Sequence, residues 1–199
     1  MRNNTTLFLL LTVVFLFSTS LLQGCAGVVV GGAATGAAVI HDRRTSGTVI
    51  DDEIIEFKVI DRMMKNTALN EKTHINATSY NNVLLLTGEA PTEELKQEVY
   101  DLLKTIPNVK RVHNEITVAA PSAYLSRSSD TWITAKVKTL MLKIDDIKGF
   151  DPTRVKIVSE NGTVYLMGLV TRAEGDAVTD VARKVDGVQR VVKVFEYIE

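Results

Sequence analysis

The chain is poor in the residues from which covalent and metal-built sites are made. Its 199 residues include one cysteine and three histidines. One cysteine excludes an intramolecular disulfide and any multi-cysteine zinc centre. The three histidines, His41, His74 and His113, are scattered along the chain, which argues against a catalytic metal site. Neither sign of charge is in excess. With 23 basic against 24 acidic side chains and a net charge of −1, no phosphate-gripping surface for nucleic acid is expected. Four prolines and 6% aromatics within a 45% hydrophobic chain do not describe disorder. There is no Gly-x-Ser-x-Gly, no His and carboxylate paired at helical spacing, and no glycine in a phosphate-loop context. No catalytic residue, cofactor or metal ligand is therefore assigned, and a non-enzymatic protein is expected.

What is present begins with a leader. After Met1-Arg2-Asn3-Asn4 comes the apolar run Leu7 to Phe17, then small polar residues, then Leu21-Leu22-Gln23-Gly24-Cys25. The run is shorter than the roughly 20 residues of a bilayer span. A short polar start with one positive charge, an apolar middle and small residues describe a secretory signal. Leu22-Gln23-Gly24-Cys25 resembles a bacterial lipobox, with Gln23 where a small or branched residue is usual. That resemblance makes Cys25 the lipidated first mature residue, carrying three acyl chains, palmitate among them. Ala26 rather than aspartate follows, which implies transport to the outer membrane. A Gly/Ala-rich stretch, 26–40, then reads as a tether near the membrane or, through its two Gly-xxx-Gly spacings, as a self-association segment. Residues 41–47 read as polar linker.

The remainder is an internal repeat. Ile55-Glu-Phe-Lys-Val59 matches Ile133-Thr-Ala-Lys-Val137, Asn82 to Gly88 matches Gly162 to Gly168, and Val109-Lys-Arg-Val112 matches Val188-Gln-Arg-Val191. The offsets of 78, 80 and 79 residues define two copies of one module. Each copy opens with an amphipathic helix (52–65 and 131–144) for which Asp51 and Asp130 are expected N-caps. Strands follow at 74–78 and 155–158, then polar turns, then strands at 83–87 and 163–167. Second helices are expected at 92–104 and 171–185, and closing strands at 109–118 and 188–198. The fold class is α+β: two tandem αββαβ modules, each a small three-stranded mixed sheet with two helices on one face. The chain divides into a signal peptide (1–24), a lipidated cysteine and tether (25–50), a first module (51–118), a linker (119–129) and a second module (130–199).

An apolar-x-Gly pair ends the second strand of each copy, and Asn108-Val109-x-x-Val112 or Gly187-Val188-x-x-Val191 precedes the third. This order resembles the BON domain of bacterial envelope proteins, and two such domains behind a lipobox resemble the dual BON-domain outer-membrane lipoproteins. The resemblance implies a lipid-anchored protein of the outer membrane that faces the periplasm. It implies binding of anionic phospholipid at the inner leaflet, support of outer-membrane integrity and a place at the division site. Gly88 and Gly168 match the family's glycine after the second strand and read as structural residues, needed for backbone geometry or close approach.

The opening helices of the two copies differ. On a wheel of residues 132–144, Ile133, Val137, Leu140, Met141 and Ile144 share one face, which is the core stripe. The other face gathers Trp132, Lys136, Thr139 and Lys143, flanked by Ala135 and Leu142, with no acid from Thr131 to Ile144. Aromatic and lysine residues on one helix face match an interfacial binder of anionic lipid. The alternative is Trp132 packed into a groove between the modules, with solvated lysines. The equivalent positions in the first copy are Ile54, Lys58, Asp61 and Lys65, beside Asp52, Glu53 and Glu56. The first module carries 8 basic and 12 acidic side chains over 51–118, the second 11 of each over 130–199. The second copy is thus the expected lipid-facing one. A different class of function remains open: an adaptor for an envelope protein, such as the outer-membrane assembly machinery, without direct lipid recognition.

Overall fold

A computed structural model describes residues 42–120 and 124–199, the first five of the latter stretch by backbone alone. The leader, Cys25 and the Gly/Ala-rich segment lie outside the described residues. The first module runs α1 (Ser46–Lys65), α2 (Thr67–Lys72), β1 (His74–Tyr80), β2 (Val83–Ala90), α3 (Glu93–Leu103), β3 (Arg111–Asn114) and β4 (Thr117–Val118). The second runs α4 (Tyr124–Met141), a 3₁₀ turn (Pro152–Arg154), β5 (Val155–Glu160), β6 (Thr163–Val170), α5 (Arg172–Ala182) and β7 (Arg190–Tyr197). In each, an antiparallel hairpin (β1–β2, β5–β6) is joined in parallel by the strand that follows the second helix (β3, β7).

The hairpins close on two-residue turns, Asn81-Asn82 and Asn161-Gly162, all four with positive φ. Such turns follow the twist of the paired strands. The strands run to Tyr80 and Glu160, two residues beyond the expected ends. The first closing strand also departs from expectation. It breaks after Asn114, whose side chain accepts a hydrogen bond from the Ile116 N–H at 3.3 Å, and Ile116 turns into the core. The short β4 then resumes pairing with β2, making a four-stranded sheet.

Both opening helices start earlier than the sequence predicts, and neither Asp51 nor Asp130 caps them. Thr45 caps α1 by accepting from the Thr48 N–H at 3.1 Å. The aspartates that matter are Asp52 and Asp130, both buried within their helices. Asp52 accepts from the backbone N–H groups of Asn81 and Asn82, each at 2.8 Å. Asp130 accepts from those of Asn161 at 2.8 Å and Gly162 at 3.0 Å. Each first helix is thereby tied to the hairpin turn of its own module. The second helices are capped at Thr92 and Thr171, the latter in a reciprocal capping box with Glu174.

Alternation along β2 and β6 sends side chains to two different cores. Leu84, Leu86 and Ala90 pack under α1 and α3 with Ile55, Val59, Val99 and Leu103. Val164, Leu166 and Val170 pack under α4 and α5 with Ile133, Val137, Met141 and Val178. The residues between them face the other module: Tyr80, Val83 and Leu85 meet Tyr165, Met167 and Val194 in a third core between the sheets. The helices are the outer layers. Polar contacts surround this junction, including Tyr80 Oη to Arg154 O at 3.0 Å and Lys156 Nζ to Glu56 at 2.8 Å.

Residues 42–47 do more than link. The Arg43 guanidinium donates to both Glu174 oxygens, at 2.6 and 2.9 Å, and to Leu169 O at 2.9 Å. Arg44 pairs with Asp52 at 2.8 Å and lies 4.0 Å over the Tyr80 ring. Adjacent arginines therefore grip one module each. Burial pushes the Glu174 carboxyl up, but hydrogen bonds from Arg43 and the Thr171 N–H outweigh it and hold it below the usual range. A depressed folded value means that this clamp contributes stability above the ordinary carboxylate pKa and loses it as pH falls through the lowered one.

The two family glycines have different geometry. Gly88 has φ +107°, and an added Cβ would lie 1.9 Å from His74 O. Gly168 has no positive φ, and its Cβ would meet Arg154 O at 2.9 Å. Gly88→Ala is expected to destabilise the protein by about 2 kcal/mol or more, through strain and clash together. Gly168→Ala should cost less, about 1 kcal/mol; urea unfolding of both variants ranks them. Asp130→Ala strands two backbone N–H groups and is expected to cost roughly 1–3 kcal/mol in the same measurement, with Asp130→Asn recovering part of the loss.

Candidate lipid-contact face

The outer face of α4 is set by its inner one. Ile133, Val137 and Met141 are buried against the β5–β6–β7 sheet, and the Asp130 tie and a 2.8 Å hydrogen bond from Thr134 to Ser159 hold the helix on the hairpin. With that rotation fixed, Trp132, Ala135, Lys136 and Thr139 project outward, all exposed. The α-helix ends at Met141, three residues short of the expected end. Leu142 and Lys143 continue the same face in the turn that follows, and both are exposed.

Trp132 is 51% exposed and Leu142 73% exposed, so neither fills a groove between the modules. At 1.5 Å of rise per residue the two apolar groups stand about 15 Å apart along the helix. Lys136 lies between them, and Lys143 beside Leu142. Among the described residues neither lysine pairs with an acid. Next to Leu142 lies a cavity of about 370 Å³ lined by Met141, Pro152 and Val155 together with Lys138 and Lys156.

The repeat places an equivalent face on α1, and there the sequence reading missed its main feature. At an offset of 78, Ile54 corresponds to Trp132, Phe57 to Ala135, Ile60 to Lys138 and Met64 to Leu142. Together with Ile50 these form an exposed apolar stripe, Phe57 at 69% and Met64 at 67%. Only Ile50 precedes the expected helix 52–65; Phe57, Ile60 and Met64 lie inside it, but the positions equivalent to Trp132, Lys136, Thr139 and Lys143 are Ile54, Lys58, Asp61 and Lys65, which pass over them. Lys65 on this face pairs with Asp61 at 2.8 Å. The face is apolar, with Asp61 and Lys65 paired on it and Glu53 on the same helix, where that of α4 carries lysines and no acid from Thr131 to Ile144.

Two carboxylates and an imidazole also come together where the sequence shows no motif. His74 and Glu89, from β1 and β2, meet Glu160 from the end of β5, with one ligand atom of each lying within 4.8 Å of the others. Burial, and the Glu89 charge, hold the Glu160 carboxyl above its usual range despite the hydrogen bond from Asn76. A cavity of about 640 Å³, lined in part by His74, Asn76, Asp130, Thr134, Lys138 and Glu160, adjoins the group. Among the described residues no helix is long and apolar enough to cross a membrane.

Comparison with known proteins places these features in a family. The chain is 40% identical over 186 residues to "Outer membrane lipoprotein DolP" of Haemophilus influenzae, covering 94% of this chain and 95% of that protein. It is 36% identical to a "21 kDa hemolysin" of Actinobacillus pleuropneumoniae, over 79% of this chain and 80% of that one. With "Osmotically-inducible protein Y" of Escherichia coli the identity is 27%, over 79% of this chain and 78% of that protein. The BON domain family matches twice, over residues 51–120 and 129–199. Two αββαβ modules that share hairpin, aspartate tie and glycine at offsets of 78 to 80 residues, matched twice by that family, make this chain a member of the BON-domain family.

Proposed function

We propose that the protein is a non-enzymatic lipoprotein of the outer membrane, anchored through Cys25 and facing the periplasm, which contacts anionic phospholipid of the inner leaflet through the outer face of α4. Its role is to support outer-membrane integrity, including at the division site. The observation that carries this reading is the exposed Trp132–Leu142 face with Lys136 and Lys143 unmatched by acids among the described residues. An indole at headgroup depth and ammonium groups meeting phosphates fit such a face. Each basic residue near an anionic surface is worth on the order of 1 kcal/mol, so the contact is weak by itself. Anchoring the chain to the same membrane raises the effective concentration enough to make it count. The likeness to an outer membrane lipoprotein over nearly the whole chain supports the location.

A second reading, an adaptor for an envelope protein, is favoured by the α1 stripe. An exposed apolar patch on a folded domain marks a surface for association, and the acids Glu53 and Asp61 on the same helix leave anionic lipid little hold on it.

Cys25→Ala is expected to leave an uncleaved or soluble form, which membrane fractionation detects; a variant still processed at residue 25 and sedimenting with outer membrane contradicts the anchor. For the soluble 41–199 fragment, Trp132→Ala and the pair Lys136→Glu/Lys143→Glu are expected to weaken co-sedimentation with anionic vesicles while leaving the fold intact. Salt should weaken the unmodified fragment, since exposed charges are screened over about 8–10 Å. Trp132, the sole tryptophan, should blue-shift on anionic vesicles and not at high salt. Phe57→Glu/Met64→Glu should leave vesicle binding unchanged. Equal losses from both helices would remove α4 as the specific lipid site, and a loss of envelope integrity in the Phe57/Met64 variant with vesicle binding intact would favour the adaptor.

A further inference from the structure

We propose that His74, Glu89 and Glu160 form a binding site for one divalent transition cation, zinc by their ligand chemistry, which ties the first module to the second. The donor set is an imidazole nitrogen and two carboxylate oxygens. It suits zinc with three protein ligands and a water in the fourth position. Two ligands of a tetrahedral site with bonds of roughly 2 Å stand a little over 3 Å apart. His74 Nδ1 and Glu89 Oε2 already stand 3.2 Å apart. Glu160 completes the triangle within 4.8 Å, so a small inward movement of one carboxylate suffices.

The surroundings are those of a held site rather than of loose surface acids. Glu89 is 1% exposed and Glu160 8%. Asn161 donates to Glu89, and Asn76 donates to Glu160 at 2.7 Å, with Thr87 at 3.4 Å. Hydrogen bonds of this kind fix the direction in which a ligating carboxylate points. Each runs across the junction: Asn161 belongs to the second module and its acceptor to the first, whereas Asn76 and Thr87 belong to the first and their acceptor to the second. His74 is partly exposed and lines the 640 Å³ cavity with Glu160, which gives the ion a route in and room for its water. Two carboxylates facing each other at low solvent exposure repel, and a cation between them turns that repulsion into a bridge. Because the ligands belong to both modules, the bound ion stabilises their pairing by mass action.

The test uses the full-length chain in detergent, stripped of metal and titrated with zinc chloride by calorimetry, alongside thermal melts. One zinc per chain is expected, with a melting temperature that rises as zinc is added and does not rise with magnesium chloride, a hard cation that demands octahedral oxygen ligands. Glu160→Gln, which keeps the shape and can still accept from Asn76, and His74→Gln should each weaken zinc binding at least tenfold. Their metal-free melts should stay at or above that of the parent chain, which separates loss of a ligand from loss of fold. Absence of saturable zinc binding in the unmodified chain would overturn the site. So would one-zinc binding of unchanged affinity in both variants, which would place the ion on other residues.

Discussion

Each module has a central strand with apolar side chains on both faces, and one module has helices enough to cover only one of them. On β2, Leu84 and Leu86 lie under the helices while Val83 and Leu85 would face water; on β6, Val164 and Leu166 are covered while Tyr165 and Met167 would not be. Burying a side chain of this size is worth about 1.5–3 kcal/mol relative to leaving it exposed. The sheets therefore meet face to face, and most of what is distinctive in the molecule depends on that. It makes the helices outer layers, with one face of each turned outward. It brings β1, β2 and the end of β5 close enough to cluster His74, Glu89 and Glu160. It also gives Arg43 and Arg44 a junction to straddle.

Duplication supplied the frame, and divergence went to the surface. The tie from a buried aspartate to the hairpin turn is the same in both copies, Asp52 to Asn81-Asn82 and Asp130 to Asn161-Gly162. These contacts satisfy backbone N–H groups that would otherwise be stranded, so they are hard to vary independently. The outward helix faces carry no such constraint. α4 presents Trp132 and two lysines that pair with no acid among the described residues, α1 a stripe from Ile50 to Met64 with Asp61 and Lys65 paired to each other. One fold thus offers two chemically different contact surfaces, a cationic amphipathic one and an apolar one.

The junction between modules is more polar at its margins than at its centre. Carboxylates at low exposure are tolerated there because side chains from outside their own module reach them: Asn161 reaches Glu89, Asn76 reaches Glu160, and Arg43 of the entering segment reaches Glu174. Each of these carboxylates gains part of its compensation only when the second unit or the entering segment docks, so these contacts favour one arrangement of the modules.

Much of the fold was legible because it is local. The alternating and helical periodicities of the repeat and the polar hairpin turns each act over a few residues, and the αββαβ order follows from them. The outer face of α4 was legible too, since the core stripe Ile133–Val137–Met141 fixes the helix rotation and with it the side to which Trp132 and Lys136 point. Helix starts were not, because Asp52 and Asp130 serve turns about 30 residues away rather than the helix ends beside them. The continuous runs Val83-Leu-Leu-Leu86 and Val164-Tyr-Leu-Met167 carried the sign of burial on both faces, but not what would cover the second face. Only the tertiary structure decided that the other module does, that Arg43 and Arg44 divide between the two, and that His74 meets Glu160 across 86 positions of chain. Contacts of that range are set by the packing of whole sheets, and no periodicity within a single strand or helix encodes them.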